Sequence, residues 1–155
     1  MQPHRQGFTL IELLIVIAII SILAGVLLTG FRSYQTHQTL EFATKEVRQI
    51  FETARSQTLA ATNDSAYGVY IDTDTAVLFE GAVYDSSAAT NVIFELDPRV
   101  QISDIALTPI TDVVTFTRGR GEPSAQGSIE LSLTNDVGMK RIITISATGI
   151  INSNE

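Results

Sequence analysis

GFTLIELLIVIAIISILAG, residues 7–25, is the stretch from which the rest of the chain is read. From Leu13 to Leu28 every residue is apolar or glycine except Ser21, and the permissive run extends from Phe8 to Phe31. That is about the 20 residues a membrane-spanning helix needs. A secretory signal peptide would end its apolar stretch at a small-residue cleavage site and break afterwards. Here the polar leader MQPHRQG precedes a run that continues into a helical pattern, so the sequence predicts a retained transmembrane helix over 8–30. One residue works against it. A carboxylate at the bilayer centre costs about 2.5–3.5 kcal/mol, so Glu12 needs either a charge partner or a route to the headgroups at the near end of the helix.

Past Phe31 the residues turn polar but keep a helical period, with Leu40, Ala43, Val47, Ile50, Phe51, Ala54 and Thr58 on one stripe. No proline interrupts the run, so the helix is expected from Phe8 to about Thr62, roughly 80 Å at 1.5 Å per residue. ATNDSA, 61–66, stops it with turn formers. A two-residue rhythm follows, predicting antiparallel strands at Tyr67–Ile71, Ala76–Glu80, Val92–Leu96, Val100–Ile102, Val113–Thr117, Ser128–Leu133, Arg141–Ser146 and Gly149–Ile151. The segments DTDT (72–75), TRGRGEPSAQG (117–127) and TNDVG (134–138) read as hairpin turns. The expected fold is α+β: one long N-terminal helix, transmembrane in its first half, packed on a C-terminal antiparallel β-sheet domain. Its parts are a leader (1–7), the anchor (8–30), the helix outside the membrane (31–62) and a β-rich domain (63–155).

Composition excludes several function classes. The 155 residues contain no cysteine, which removes disulfide scaffolds, thiolate zinc sites and cysteine nucleophiles. A net charge of −7 and a pI near 4.7 argue against attraction to nucleic acid or anionic lipid as the main role. The two histidines, His4 and His37, lie in the leader and just beyond the anchor, so the β-rich domain can build neither a Ser-His-Asp triad nor a multi-histidine metal site. Asp72 and Asp74 in DTDT lack the ligand count and closing glutamate of a calcium loop and read as turn residues. No phosphate-binding or dinucleotide fingerprint is present. The expectation is a protein with no catalytic residue, cofactor or metal.

A short basic leader ending in Gly7, then Phe8, an apolar helix and Glu12 at the fifth position after the junction resembles the type IV pilin-like superfamily. The resemblance implies that a membrane prepilin peptidase cuts between Gly7 and Phe8 on the cytoplasmic side and that the new Phe8 amine is N-methylated. It implies assembly through the N-terminal helix, with Glu12 pairing with the amine of a neighbouring subunit. Such a buried charge acts as a register mark, as a buried polar residue does in a coiled coil. Many filament-forming pilins carry a proline near the position of Thr29 and Gly30, which this chain lacks. Towards the C-terminus, VVTFTRGRGEPSAQGSIELSLTNDVGMKRIITISATGIIN is similar to the end of GspH/FimT-type minor pseudopilins and pilins. Phe116, Gly119, Ile129, Leu131, Ile143, Ile145 and Gly149 carry that likeness, along with ARSQTLA at 54–60, whereas 81–109 has no counterpart in it.

The function expected from the resemblance is structural: a minor pilin or pseudopilin of a type II secretion pseudopilus or a type IV pilus. Its expected partners are other pilins, the prepilin peptidase and an inner-membrane assembly platform. It would be single-pass in a bacterial inner membrane, with its N-terminus cytoplasmic and its domain extracytoplasmic. The alternative is a FimT-like DNA-binding minor pilin of natural transformation, using Arg118 and Arg120 on a glycine-rich loop. That family's basic C-terminal segment has no match here, because no cation follows Arg141.

Overall fold

Leu40, Ala43, Val47, Ile50, Phe51, Ala54 and Thr58 recur at three- and four-residue intervals, and every one of them is buried. They form one face of α1 (Leu10–Leu59). The structure is a computed structural model that describes residues 8–154, apart from the side chains of 26–34 and 36. Gly7 and the leader therefore lie outside the described residues, as do the side chain of Thr29 and the local surroundings of Gly30. The chain divides into two units, Met1–His37 and Gln38–Glu155. The second begins well before the first strand because Gln38–Leu59 supplies one wall of its core.

α1 ends at Leu59, slightly short of the Thr62 expected from the sequence. Ala61 enters the left-handed region at φ 49°, and a 3₁₀ turn, Thr62–Asp64, follows with Asn63 and Asp64 also at positive φ. Asn and Asp are among the non-glycine residues that tolerate that conformation best. Eight strands come next: β1 (Tyr67–Ile71), β2 (Thr75–Glu80), β3 (Val92–Glu95), β4 (Val100–Thr108), β5 (Val113–Thr115), β6 (Gln126–Leu133), β7 (Asp136–Ile145) and β8 (Ile151–Ser153). They form two antiparallel four-stranded sheets, ordered β3-β2-β1-β5 and β4-β6-β7-β8.

The α+β architecture matches the expectation, with corrections in detail. β4 continues to Thr108 rather than stopping at Ile102, because β6 pairs with it to the Thr108↔Gln126 position. Gly127 allows this close approach: at φ +145°, a Cβ there would sit 2.1 Å from the Ala106 carbonyl oxygen. β7 starts at Asp136, inside the segment read as a turn, and the last strand is Ile151–Ser153 rather than Gly149–Ile151. Gly149, at φ +78°, belongs to the preceding turn. The segment 117–127 does not pair β5 with β6, which lie in different sheets; its first part turns back on itself, with Phe116 bridged antiparallel to Pro123, before the chain crosses to β6.

Both sheets and the helical stripe contribute to one core, in which Phe51, Val69, Val114, Ile129, Leu131 and Ile143 are fully enclosed. The first sheet is also covered on its back, where Tyr84 from the 81–91 loop stacks on Tyr70, ring centroids 4.3 Å apart, and tilts against Phe79. Gly68 makes room for Phe79, whose ring would lie 2.5 Å from any Cβ added at that position. Part of the 81–109 segment, which the family likeness left unassigned, thus covers the back of a sheet, and the segment supplies β3 and all of β4.

Candidate functional site

The site is built from the first turns of α1. Thr9 precedes the first helical residue, and its Oγ1 accepts a hydrogen bond from the Glu12 N–H at 3.3 Å. Thr-x-x-Glu at a helix start is the capping-box spacing, in which a hydroxyl satisfies one of the free N–H groups of the first turn and an acidic residue sits favourably near the positive end of the helix dipole. The signal for it in the sequence is TLIE, residues 9–12, at the capping-box spacing. The bond is made by the Glu12 backbone N–H and not by its carboxylate.

Every described side chain from Phe8 to Gly25 is exposed in the isolated chain, with Phe8 at 83 % and Leu10 at 86 %. Ser21, the one hydroxyl between Leu10 and Gly25, donates to the Ile17 carbonyl at 2.7 Å and so keeps its polar atom within the helix. An apolar surface this continuous marks a site that lipid or other protein must cover. Among the described residues no helix is both long and apolar enough to cross a membrane.

The second candidate, the loop after β5, lies in the other unit. Thr117 closes it: its N–H donates to the Glu122 carbonyl at 2.9 Å, and the Gly121 N–H donates back to the Thr117 carbonyl at 2.8 Å. Arg55 of α1 holds the loop from below, with Nε donating to the Gly121 carbonyl at 3.1 Å and a terminal nitrogen to the Thr148 carbonyl at 3.4 Å. Gly149 makes this possible, since a Cβ there would lie 2.2 Å from the Gly121 oxygen and 2.6 Å from Arg55 Nε. Arg118 forms an ion pair with Asp64, and Arg120 lies 3.8 Å from Glu122. Each arginine therefore faces a carboxylate, which weakens the positive field a phosphate backbone would require.

Asp72 acts as a turn residue, its Oδ1 accepting the Thr73 N–H at 2.7 Å, while the Asp74 carbonyl accepts from the Leu96 N–H at 2.9 Å. No group of three or more His, Asp or Glu is placed to hold a metal among the described residues. The sequence carries no signal for the contacts of Arg55 and Gly121, because Arg55 bonds to Gly121 and Thr148 and Gly121 packs on Gly149, all distant in the chain, and no local pattern announces them.

Comparison with known proteins adds three findings. The model of the prokaryotic N-terminal methylation motif matches residues 2–28. A fimbrial protein of Pseudomonas aeruginosa is 28% identical over 133 residues, covering 85% of this chain and 81% of that protein. Two crystal structures of the type IV minor pilin FimU of Pseudomonas aeruginosa share the fold at TM-scores of 0.56 and 0.57. Both are 16% identical; each aligns with 75% of this chain and with 93% and 88% of their own chains.

Proposed function

We propose, from the premise that this chain is type IV pilin-like in both its N-terminal motif and its fold, that it is a minor pilin or pseudopilin. In this reading it is a structural subunit anchored in the bacterial inner membrane by its first helix and assembled with other pilins into a pilus or secretion pseudopilus. The prepilin peptidase cuts between Gly7 and Phe8, Phe8 is N-methylated, and the N-terminus starts on the cytoplasmic side. The observation that carries the reading is the exposed, continuous apolar surface of Phe8–Gly25 with a single carboxylate, Glu12, in its first turn. Neighbouring helices can cover such a surface, as small residues such as Ala18, Ser21 and Ala24 let helices approach closely. Where the dielectric is low, the amine of a neighbour's Phe8 is a strong partner for Glu12.

Mass spectrometry of the mature N-terminus tests processing, with a chain starting at N-methylated Phe8 expected and an intact Met1 contradicting it. Glu12→Gln then tests the charge apart from the shape of the side chain. Glutamine also serves in a capping box, so if Glu12 only supports its own helix, Glu12→Gln assembles like wild type. If the charge sets register, Glu12→Gln and Glu12→Leu are both processed and inserted, yet neither crosslinks to partner pilins. The DNA-binding alternative is less favoured, because Arg118 and Arg120 both face carboxylates.

A further inference from the structure

β3 is an edge strand of the first sheet, and all four of its residues are exposed. Val92, Ile93 and Phe94 keep 47 %, 62 % and 39 % of their surface in solvent. Folded proteins usually blunt such an edge with a lysine, a proline, a bulge or a covering loop. β3 has neither lysine nor proline and pairs with β2 in unbroken register, from Thr75↔Glu95 to Leu78↔Val92.

The register also shows which backbone groups are free. The Leu96 N–H donates to the Asp74 carbonyl at 2.9 Å, just past the ladder, so the even-numbered residues exchange hydrogen bonds with β2. Alternation then turns the N–H and C=O of Ile93 and Glu95 away from the sheet. Among the described residues neither takes a backbone partner elsewhere. On the helix side of the same edge is a cavity of about 180 Å³, lined by Glu46, Gln49, Ile50, Thr53 and Phe94. Glu46, Gln49 and Thr53 continue at helical spacing from Phe42, an aromatic that is 60 % exposed.

We propose that β3 is a docking edge for an extended segment of a partner protein, apolar at alternate positions and carrying lysine or arginine between them, which adds to the first sheet as a fifth strand. Unpaired backbone groups specify an extended occupant, since only another strand can meet both donors and acceptors in series. The cavity beside Phe94 receives one of its apolar side chains. Charge selects the rest: Glu46 and Glu95 are exposed on this edge, and neither β3 nor the cavity lining contains a cation. A second copy of the chain is the poorer occupant. It would bring the same carboxylates to one seam and join two molecules of net charge −7. This surface lies within the Gln38–Glu155 unit and does not depend on assembly through the first helix.

The test uses the full chain in detergent micelles and a synthetic peptide, Lys-Val-Lys-Val-Lys-Val-Lys, followed by residue-resolved amide hydrogen exchange. Saturable binding is expected to slow exchange at Ile93 and Glu95, leaving Phe94, already bonded to β2, little changed. Ile93→Pro removes one outward N–H without removing a bond to β2, and weakens binding about tenfold. Glu95→Lys keeps the strand intact and also weakens binding, while Glu-Val-Glu-Val-Glu-Val-Glu does not bind. Absence of saturable binding, equal binding of the acidic peptide, or unchanged affinity in both variants overturns the proposal. So does protection of Ile93 and Glu95 in the chain alone at high concentration, which would make a second copy the occupant.

Discussion

Thr58→Val isolates the bond that ties α1 to the first sheet. Thr58 has 0 % exposure, and valine replaces its hydroxyl with a methyl of nearly the same volume, so packing is kept while hydrogen bonding is lost. Thr58 Oγ1 accepts the Tyr67 N–H at 2.8 Å and donates to the Ala54 carbonyl at 2.8 Å, with a longer contact to the Tyr67 carbonyl at 3.4 Å. The Tyr67 carbonyl still receives the Phe116 N–H at 3.1 Å, and the Ala54 carbonyl remains within the helical ladder. The cost therefore falls on one group, the Tyr67 N–H, left unpaired in a residue only 7 % exposed. An unsatisfied buried donor costs about 1–3 kcal/mol. About 2 kcal/mol corresponds to a Tm lower by about 8 °C for a unit of this size. Thr58→Ser keeps the hydroxyl and removes one buried methyl, for about 1 kcal/mol. Urea unfolding of the full chain in micelles, followed by the tyrosine near-ultraviolet signal and compared at constant m, measures both. A valine variant as stable as wild type, or a serine variant weaker than the valine one, would refute the reasoning.

Gly149→Ala forces a side chain onto the Gly121 carbonyl and into left-handed backbone, so it should cost about 2 kcal/mol or more and release the 117–122 loop, read as faster amide exchange at Gly121. Asp97 is held down to about 2 by the hydrogen bonds it accepts from the Arg99 side chain and backbone. A depressed carboxyl contributes stability above its unfolded value, about 3.9, and loses it as pH falls towards 2. Asp97→Asn should therefore destabilise at pH 7 and match wild type near pH 2, by about 1 kcal/mol or less, because the pair is solvent-screened. Arg118→Ala with Arg120→Ala should lower the unfolding midpoint only slightly and leave assembly intact; a steeply salt-dependent DNA shift, present in wild type and lost in the double variant, would contradict this.

Two properties of α1 were readable in the sequence because they are local. An unbroken apolar run and a stripe at three- and four-residue spacing both follow from helical geometry, and the seven stripe residues named from spacing alone are all buried. The β1–β2 and β6–β7 turns were equally readable, since Asp72 and the Thr134–Asn135 pair belong to residue types that bend the chain by their own chemistry. The Gly7–Phe8 junction and Glu12 are legible as a motif, and Thr9, three residues before Glu12, carries the capping spacing in the same letters.

What the sequence determined by itself was where the chain is helical, which helical face seeks a core, and that its first turns carry a charge in an apolar run. Tertiary structure decided which strands join which sheet. TRGRGEP forms a local hairpin tip, with Phe116 bridged to Pro123, yet β5 and β6 on either side of it lie in different sheets, because strand partners are chosen by long-range pairing and by the shared core rather than by the turn residues between them. The same holds for Arg118 and Arg120, which look free in the sequence and meet Asp64 and Glu122 in the fold. It holds for β3, whose four residues spell an ordinary strand. Only the order β3-β2-β1-β5 leaves it at an edge with Ile93 and Glu95 facing outward, since a strand's neighbours, not its composition, determine whether its backbone is satisfied.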